Sequence, residues 1–290
     1  MEANSPTEGE KTVSITGTEI ALFKLTLSGK DITELPKDDD DSTSYSEIRS
    51  LDVSNNQFST LDFVDQCPNL VELDISENQI SGGLDHLSKL RFLAYINLSA
   101  NILESLTDFP NLDTLVSLDL SKNHLTTISE LPSMPLLENL NLSHNSISEL
   151  NLASQPSLRT LNLCGNLVTS LNLPQLPSLR ILDASHNSIQ EIQPFDEDYL
   201  PFVWFCDLRN NSLSSPDTLK SLSKLPLLYN LMINNNPLAQ DDNSHIAPIL
   251  VILPGLTELD EKHINAKDKV KADLTVNKNK EADAEDKDKE

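Results

Sequence analysis

The sequence is poor in cysteine, in aromatic residues and in long apolar runs. Its three cysteines, Cys67, Cys164 and Cys206, are odd in number and lack paired spacing, which argues against a disulfide framework or a cysteine-based metal site. The first ten residues contain no apolar core of a signal peptide, and no stretch approaches about 18 apolar residues. We therefore expect an intracellular protein, cytoplasmic or nuclear, with reduced thiols and no membrane span.

Positive charge is also scarce. The chain has 21 lysines and arginines against 45 aspartates and glutamates, a formal net charge of −24. Such a balance repels nucleic acid and anionic membrane surfaces, and it favours basic partners. We expect a monomer that binds protein rather than nucleic acid or membrane.

One eleven-residue pattern, L-x-x-L-x-L-x-x-N-x-I, returns along most of the chain, as at residues 137–147. The asparagine at its ninth place recurs at intervals of 21 to 25 residues, and we number the repeats by it: Asn56, Asn78, Asn101, Asn123, Asn145, Asn166, Asn187, Asn211 and Asn236. A fixed period in this range predicts stacked structural repeats that bury their apolar side chains jointly. The alternation around the fourth and sixth places predicts a short strand in each repeat.

This pattern resembles the leucine-rich repeat from about residue 22 to residue 264. The resemblance implies an α/β fold, a right-handed solenoid of about ten repeats, curved like a horseshoe, with a parallel sheet on its concave face. It also implies that the asparagine amides bond to backbone groups of neighbouring turns. The short, proline-containing second halves of the repeats predict 3₁₀ or irregular turns rather than long helices.

The pattern divides the chain into three parts. Residues 1–18 are polar and are predicted to be disordered, residues 19–264 form the repeat domain, and residues 265–290 form a charged tail that is also predicted to be disordered. Residues 238–264 resemble the C-terminal cap of intracellular leucine-rich repeat proteins. An acidic loop from Asp38 to Asp41 is either a solvated surface loop or a landing site for a basic partner.

The candidate partner-binding site lies in the C-terminal third of the repeats. Tryptophan, tyrosine and arginine are enriched at binding hot spots, and residues of these types fall here beside acidic ones. The candidates are Trp204, Phe205, Asp207, Tyr229, Met232, Asp183, Arg180 and Arg159. The aromatic residues could alternatively fill the longer eighth repeat. The fifth-place column, which includes Asp52, Asp74 and Asp119, is either a common feature of this repeat class or an acidic stripe that binds a basic partner.

Nothing in the sequence points to catalysis. The histidines are scattered, and His144 and His186 share the eighth place two repeats apart, about 10 Å at strand spacing, which is too far to share a metal ion. We find no phosphate-binding loop, no nucleophile motif and no metal-spaced cysteine pair. We therefore predict that the protein is not an enzyme and holds neither metal nor cofactor.

Two finer resemblances suggest partners. The period near 22 residues, the I-x-x-L continuation at residues 147–150 and the motif L-P-x-L-x-x-L-D at residues 253–260 resemble the SDS-type subclass, which includes a regulatory subunit of type-1 protein phosphatase. This implies a partner, such as a phosphatase catalytic subunit, on the concave face. Ciliary and cytoskeletal leucine-rich repeat adaptors share the pattern.

Residues 75–84 are similar to a segment of the acidic nuclear phosphoproteins, which bind histones and inhibit phosphatases. Our leading hypothesis is a scaffold or phosphatase-regulating subunit, and the alternative is an acidic binder of basic proteins such as histones.

Overall fold

A computed structural model describes residues 11–13, 19–21, 23–36, 45–194, 198–239 and 244–287. The chain divides into two compact units. The first comprises Met1–Ser146 with Leu152–Leu158, and the second comprises Ile147–Asn151 with Arg159–Glu290.

The first unit is built on a parallel sheet with one strand from each repeat. An antiparallel pair, β1 (Lys11–Val13) and β2 (Glu19–Ala21), precedes it. The sheet strands follow in chain order: β3 (Phe23–Thr26), β4 (Ile48–Asp52), β5 (Glu72–Asp74), β6 (Tyr95–Asn97), β7 (Ser117–Asp119) and β8 (Asn139–Asn141). Fourth-place residues lie directly opposite one another, as Leu73 does to Leu51 and Ile96. Short 3₁₀ segments at Tyr45–Glu47, Asp62–Gln66 and Leu84–Lys89 agree with the expected turns.

The second unit repeats this arrangement and ends in helices. Its elements are β9 (Thr160–Asn162), β10 (Ser170–Leu171), β11 (Ile181–Asp183), β12 (Glu191–Ile192), β13 (Phe205–Asp207), β14 (Asn230–Met232), α1 (Ile246–Ile252), β15 (Glu258–Leu259), β16 (Lys262–His263) and α2 (Ala266–Lys287). Strands β9, β11, β13, β14 and β15 pair in parallel in that order, β16 adds antiparallel to β15, and β10 pairs with β12. A 3₁₀ segment covers Pro216–Lys224.

The ninth-place asparagines bond as expected. In the fourth repeat, the amide oxygen of Asn123 accepts a hydrogen bond from the N–H of Leu103 at 3.0 Å, and its amide nitrogen donates to the carbonyls of Leu98 and Leu120 at 3.0 and 3.1 Å. Equivalent sets of bonds are made by Asn78, Asn101, Asn145, Asn187, Asn211 and Asn236. Each asparagine therefore satisfies backbone groups that no sheet ladder can reach.

The residue before each asparagine occupies the left-handed region of backbone conformation. Its φ lies between 51° and 70° at Asn55, Glu77, Ala100, Lys122, His144, Gly165, His186, Asn210 and Asn235. Non-glycine residues adopt this conformation rarely, so the turn is a strict requirement of the repeat. His144 and His186 thus occupy a turn position.

The C-terminal cap closes the last repeat through the motif identified in the sequence. After α1, strand β15 extends the sheet, and the carboxylate of Asp260 accepts hydrogen bonds from the N–H groups of Ile233 and Asn234 at 2.7 and 2.9 Å. Asp260 therefore satisfies backbone groups of the ninth repeat.

Described parts of both segments that are predicted to be disordered contain secondary structure. The tail contains α2, which packs on α1 and begins in a capping box: Asn265 accepts hydrogen bonds from the N–H of Asp268 and donates its own N–H to the Asp268 carboxylate. In the N-terminal segment, β1 is a strand, while residues 1–10 and 14–18 and the acidic loop at Asp38–Asp41 lie outside the described residues.

Candidate functional site

Trp204 and Tyr229 form a stacked pair on the surface of the second unit. Both stand at the second place of their repeats, just before β13 and β14, and the N–H of Tyr229 donates to the carbonyl of Trp204 at 3.3 Å. The ring centroids are 5.3 Å apart with an interplanar angle of 11°. Tyr229 is 43% exposed and Trp204 is half-buried. Backbone pairing therefore holds the two rings together at the edge where the strands begin.

Phe205 extends the aromatic cluster onto the sheet. Its ring meets Trp204 edge-on, with centroids 5.9 Å apart, and in the sheet it lies between Ile181 and Asn230. Three of the sequence candidates, Trp204, Phe205 and Tyr229, are thus brought into contact.

Two further apolar residues at this edge were missed by the sequence analysis. Phe202 is 52% exposed and Leu227 is 49% exposed, and each stands two residues before a member of the stacked pair. The signal is a turn pattern, Leu-Pro-x-apolar-aromatic, that occurs at residues 200–204 and again at residues 225–229. Phe202 and Leu227 each lie in the turn that precedes the strand, and their exposed side chains add apolar surface at this edge.

Arg159 and Arg180 continue the same column on the preceding strands. Both side chains are exposed. The N–H of Arg180 donates to the carbonyl of Arg159 at 2.9 Å, and the N–H of Trp204 donates to the carbonyl of Arg180 at 3.1 Å. Since paired strands are about 4.8 Å apart, Arg180 is next to Trp204 in this column and Arg159 is one strand further away.

The fifth-place candidates are placed differently. Asp207 is 3% exposed and Met232 is 6% exposed, so neither offers much surface to a partner. Arg209, which the sequence analysis missed, bonds both oxygens of the Asp207 carboxylate at 2.6 to 3.1 Å, and this pairing raises the pKa of Arg209. The carboxylate of Asp183 caps its own turn by accepting from the N–H and hydroxyl of Ser185. The sequence signal for this pair is Asp-x-Arg at residues 207–209, where most other repeats have Asp-x-Ser or Asn-x-Ser.

The strand face of the first unit is acidic. An open groove of about 460 Å³ is lined by Asp52, Glu72, Asp74, Asp119, Lys24 and Tyr95, among others. The fifth-place aspartates also serve the fold, because Asp52, Asp74 and Asp119 each accept a hydrogen bond from the N–H two residues later. Asn97 and Asn141 make the same bond from the same place without a charge. The turn therefore needs only the side-chain oxygen, and the negative charge is additional.

Metal-ligand clusters and thiols of lowered pKa are absent from the described residues. Within them, no group of three or more histidine, cysteine, aspartate or glutamate side chains has a geometry that holds a metal ion. Burial raises the pKa of Cys67 to about 12 and raises that of Cys206 further, so both thiols stay protonated. Nor do these residues include a helix that is both long and apolar enough to cross a membrane.

These features are those of a leucine-rich repeat fold, as the sequence predicts. The family described as "Leucine Rich repeats (2 copies)" matches residues 46–82, 68–111 and 156–197. The structure resembles that of the TLR13–ssRNA13 complex (TM-score 0.62, 26% identity, covering 74% of this chain and 33% of that one). It also resembles the leucine-rich repeat domain of APL1 (TM-score 0.60, 24% identity, covering 73% and 55%).

Particular relatives are found among the acidic leucine-rich nuclear phosphoproteins. Family member A of the acidic leucine-rich nuclear phosphoprotein 32 group from Drosophila melanogaster is 38% identical over 97 residues, which are 29% of this chain and 37% of that protein. The counterpart from Drosophila pseudoobscura pseudoobscura is 33% identical over 105 residues, or 34% and 40%. The chain thus spans about two fifths of the length of these curated relatives.

Proposed function

We propose that this protein is a non-enzymatic scaffold that binds a protein partner on the second unit, with Trp204 and Tyr229 as the anchor. The observation that carries the proposal is the stacked, partly exposed ring pair, which the backbone of adjacent strands holds in place. Rings that are fixed in position lose little conformational entropy when a partner binds, and tryptophan and tyrosine are common hot spots.

A phosphatase catalytic subunit is the partner that the SDS-type resemblance suggests, and we propose it as the first candidate. The cluster of Trp204, Phe205 and Tyr229 supports this proposal, because aromatic anchors on the repeat surface are what the resemblance implies. The similarity to acidic leucine-rich nuclear phosphoproteins supports a nuclear site of action.

Affinity capture from a cell extract tests the proposal. Three baits are compared: the wild-type chain, Trp204→Ala/Tyr229→Ala, and the control Phe92→Ala/Tyr95→Ala, which removes two exposed aromatic rings from the first unit. We expect one partner, identified by mass, that survives a wash at about 1 M salt, where the Debye length falls to about 3 Å. It should be lost from the first double variant and kept by the control.

Folding is checked by circular dichroism, and Tyr229→Ala alone serves as a milder variant because its ring is already partly exposed. Equal capture by all three baits would reject this anchor. Capture of a partner other than a phosphatase would support the scaffold function and reject the phosphatase assignment.

A second candidate function is the binding of basic proteins on the first unit. The specific observation is the groove whose walls include Asp52, Glu72, Asp74 and Asp119, and the relationship to acidic nuclear phosphoproteins supports it. Exposed charge attraction is screened by salt, so such partners should leave at low salt.

The test of this second function is Asp52→Asn/Glu72→Gln. Asparagine at the fifth place retains the hydrogen bond to the turn, as Asn97 shows, so the variant removes charge and leaves the fold. Weaker retention of basic proteins by this variant would support charge-based binding. Unchanged retention would exclude the groove.

A further inference from the structure

We infer that the surface around Trp204 binds a segment that carries a large apolar side chain flanked by carboxylates, that is, an acidic peptide rather than a basic one. The inference rests on the proposed function, because it specifies the partner of the same site. It runs against the net charge of −24, from which basic partners are expected.

The apolar half of the surface comes from two consecutive repeats. Phe202 and Trp204 belong to the eighth repeat, Leu227 and Tyr229 belong to the ninth, and three of these four side chains are at least 43% exposed. The equivalent places of the sixth and seventh repeats carry serine and arginine, at Ser157, Arg159, Ser178 and Arg180. The surface is therefore divided into an apolar patch and a cationic patch along a single column, and exposed apolar patches of this kind mark binding sites.

The cationic half is provided by arginines rather than lysines. The guanidinium group of Arg180 is one strand away from Trp204 and exposed, and its planar fork matches a carboxylate in two hydrogen bonds. A peptide that places its apolar side chain on the rings therefore brings its neighbouring residues to Arg180.

The fifth-place carboxylate of the Trp204 repeat does not cancel this charge. Asp207 lies on the same repeat as Trp204, but it is almost fully buried and is paired with Arg209 through both oxygens. The side chain of Arg209 remains 39% exposed. In the Asp207–Arg209 pair, the group that faces solvent is thus the guanidinium and not the carboxylate, and together with Arg180 this favours an acidic segment over a basic one.

The sole tryptophan makes the site its own reporter, because only binding near Trp204 changes the tryptophan emission. We would titrate the full chain with short synthetic peptides that lack tryptophan and carry one leucine or phenylalanine, in matched acidic, neutral and basic versions. We expect the acidic versions to change the emission and to bind about tenfold more tightly than the basic ones.

The decisive variant is Arg180→Glu, which should lower the affinity for acidic peptides by about tenfold or more and turn the preference toward basic ones. The affinity of Arg180→Gln for acidic peptides should lie between those of the wild type and Arg180→Glu. The control, Arg91→Glu, makes the same change of charge at an exposed position of the first unit and should alter nothing. Circular dichroism confirms that each variant is folded.

An emission change with basic peptides only, or an Arg180→Glu variant that keeps its preference for acidic peptides, would overturn the inference. Either result would leave the scaffold function in place. Failure of every acidic peptide to change the emission would also overturn it, whereas loss of partner capture in the Trp204→Ala/Tyr229→Ala variant is a separate test of the scaffold itself.

Discussion

The repeat asparagines make the sharpest stability prediction, and Asn145→Ala is the variant that tests it. The Asn145 side chain is buried in the first unit. Its oxygen accepts from the N–H of Leu125 at 3.0 Å, and its nitrogen donates to the carbonyls of Leu120 and Leu142, both at 3.0 Å. Alanine removes these bonds. The Leu120 carbonyl keeps the bond that it accepts from the amide of Asn123, whereas the N–H of Leu125 loses its acceptor.

The expected loss follows from the one group left unpaired, the N–H of Leu125. A buried donor without a partner costs about 1 to 3 kcal/mol, so the variant should lose about that much in the free energy of unfolding. Urea denaturation followed by circular dichroism measures the loss. Native-state hydrogen exchange provides a residue-level measurement, because the amide of Leu125 should lose its protection.

Asn151→Ala is the matched control. Asn151 is exposed and its side chain bonds only to Glu149 among the described residues, so its removal should change stability by less than about 0.5 kcal/mol. A loss below that value for Asn145→Ala, or unchanged protection at Leu125, would refute the proposed role of the ninth place.

Other predictions follow from burial and capping. Leu140→Ala should lower the free energy of unfolding by about 2 to 5 kcal/mol, since the side chain is buried in the core column, whereas exposed Leu136→Ala should have little effect in the same urea assay. Cys67 and Cys206, whose pKa values are raised by burial, should resist alkylation at pH 8 in the native state and react rapidly in urea, and fast native labelling would contradict this. Asn265→Ala should weaken the start of α2 by about 1 kcal/mol, seen as faster exchange in its first turn.

The fold was predictable because a repeat protein depends on local patterns. Each repeat contacts only its neighbours, so the spacing of leucines and asparagines in one repeat already specifies which groups meet in the next. The pairing of Leu73 with Leu51 and Ile96, and the bonds of Asn123, follow from that spacing. In the tail, composition favours disorder, whereas the capping residues Asn265 and Asp268 favour the helix that the structure contains.

The candidate site was predictable only in part. Trp204, Phe205 and Tyr229 come together as the spacing suggests, because equal places in adjacent repeats lie on adjacent strands. Asp207 and Met232 likewise lie at equal places of adjacent repeats, and yet both side chains are buried. Whether a residue at an outward place stays exposed depends on the size and charge of its neighbours in space, and Arg209, which covers Asp207, belongs to no repeat consensus.

By itself the sequence determined the repeat, the strand in each repeat, the buried leucine column and the asparagine bonds, because a periodic pattern needs only nearest-neighbour contacts. The tertiary structure alone decided which outward residues form a surface. It stacked Trp204 on Tyr229, left Phe202 and Leu227 exposed, and neutralised Asp207 with Arg209. Those outcomes depend on side chains from different repeats meeting in space, and the consensus leaves these positions free to vary.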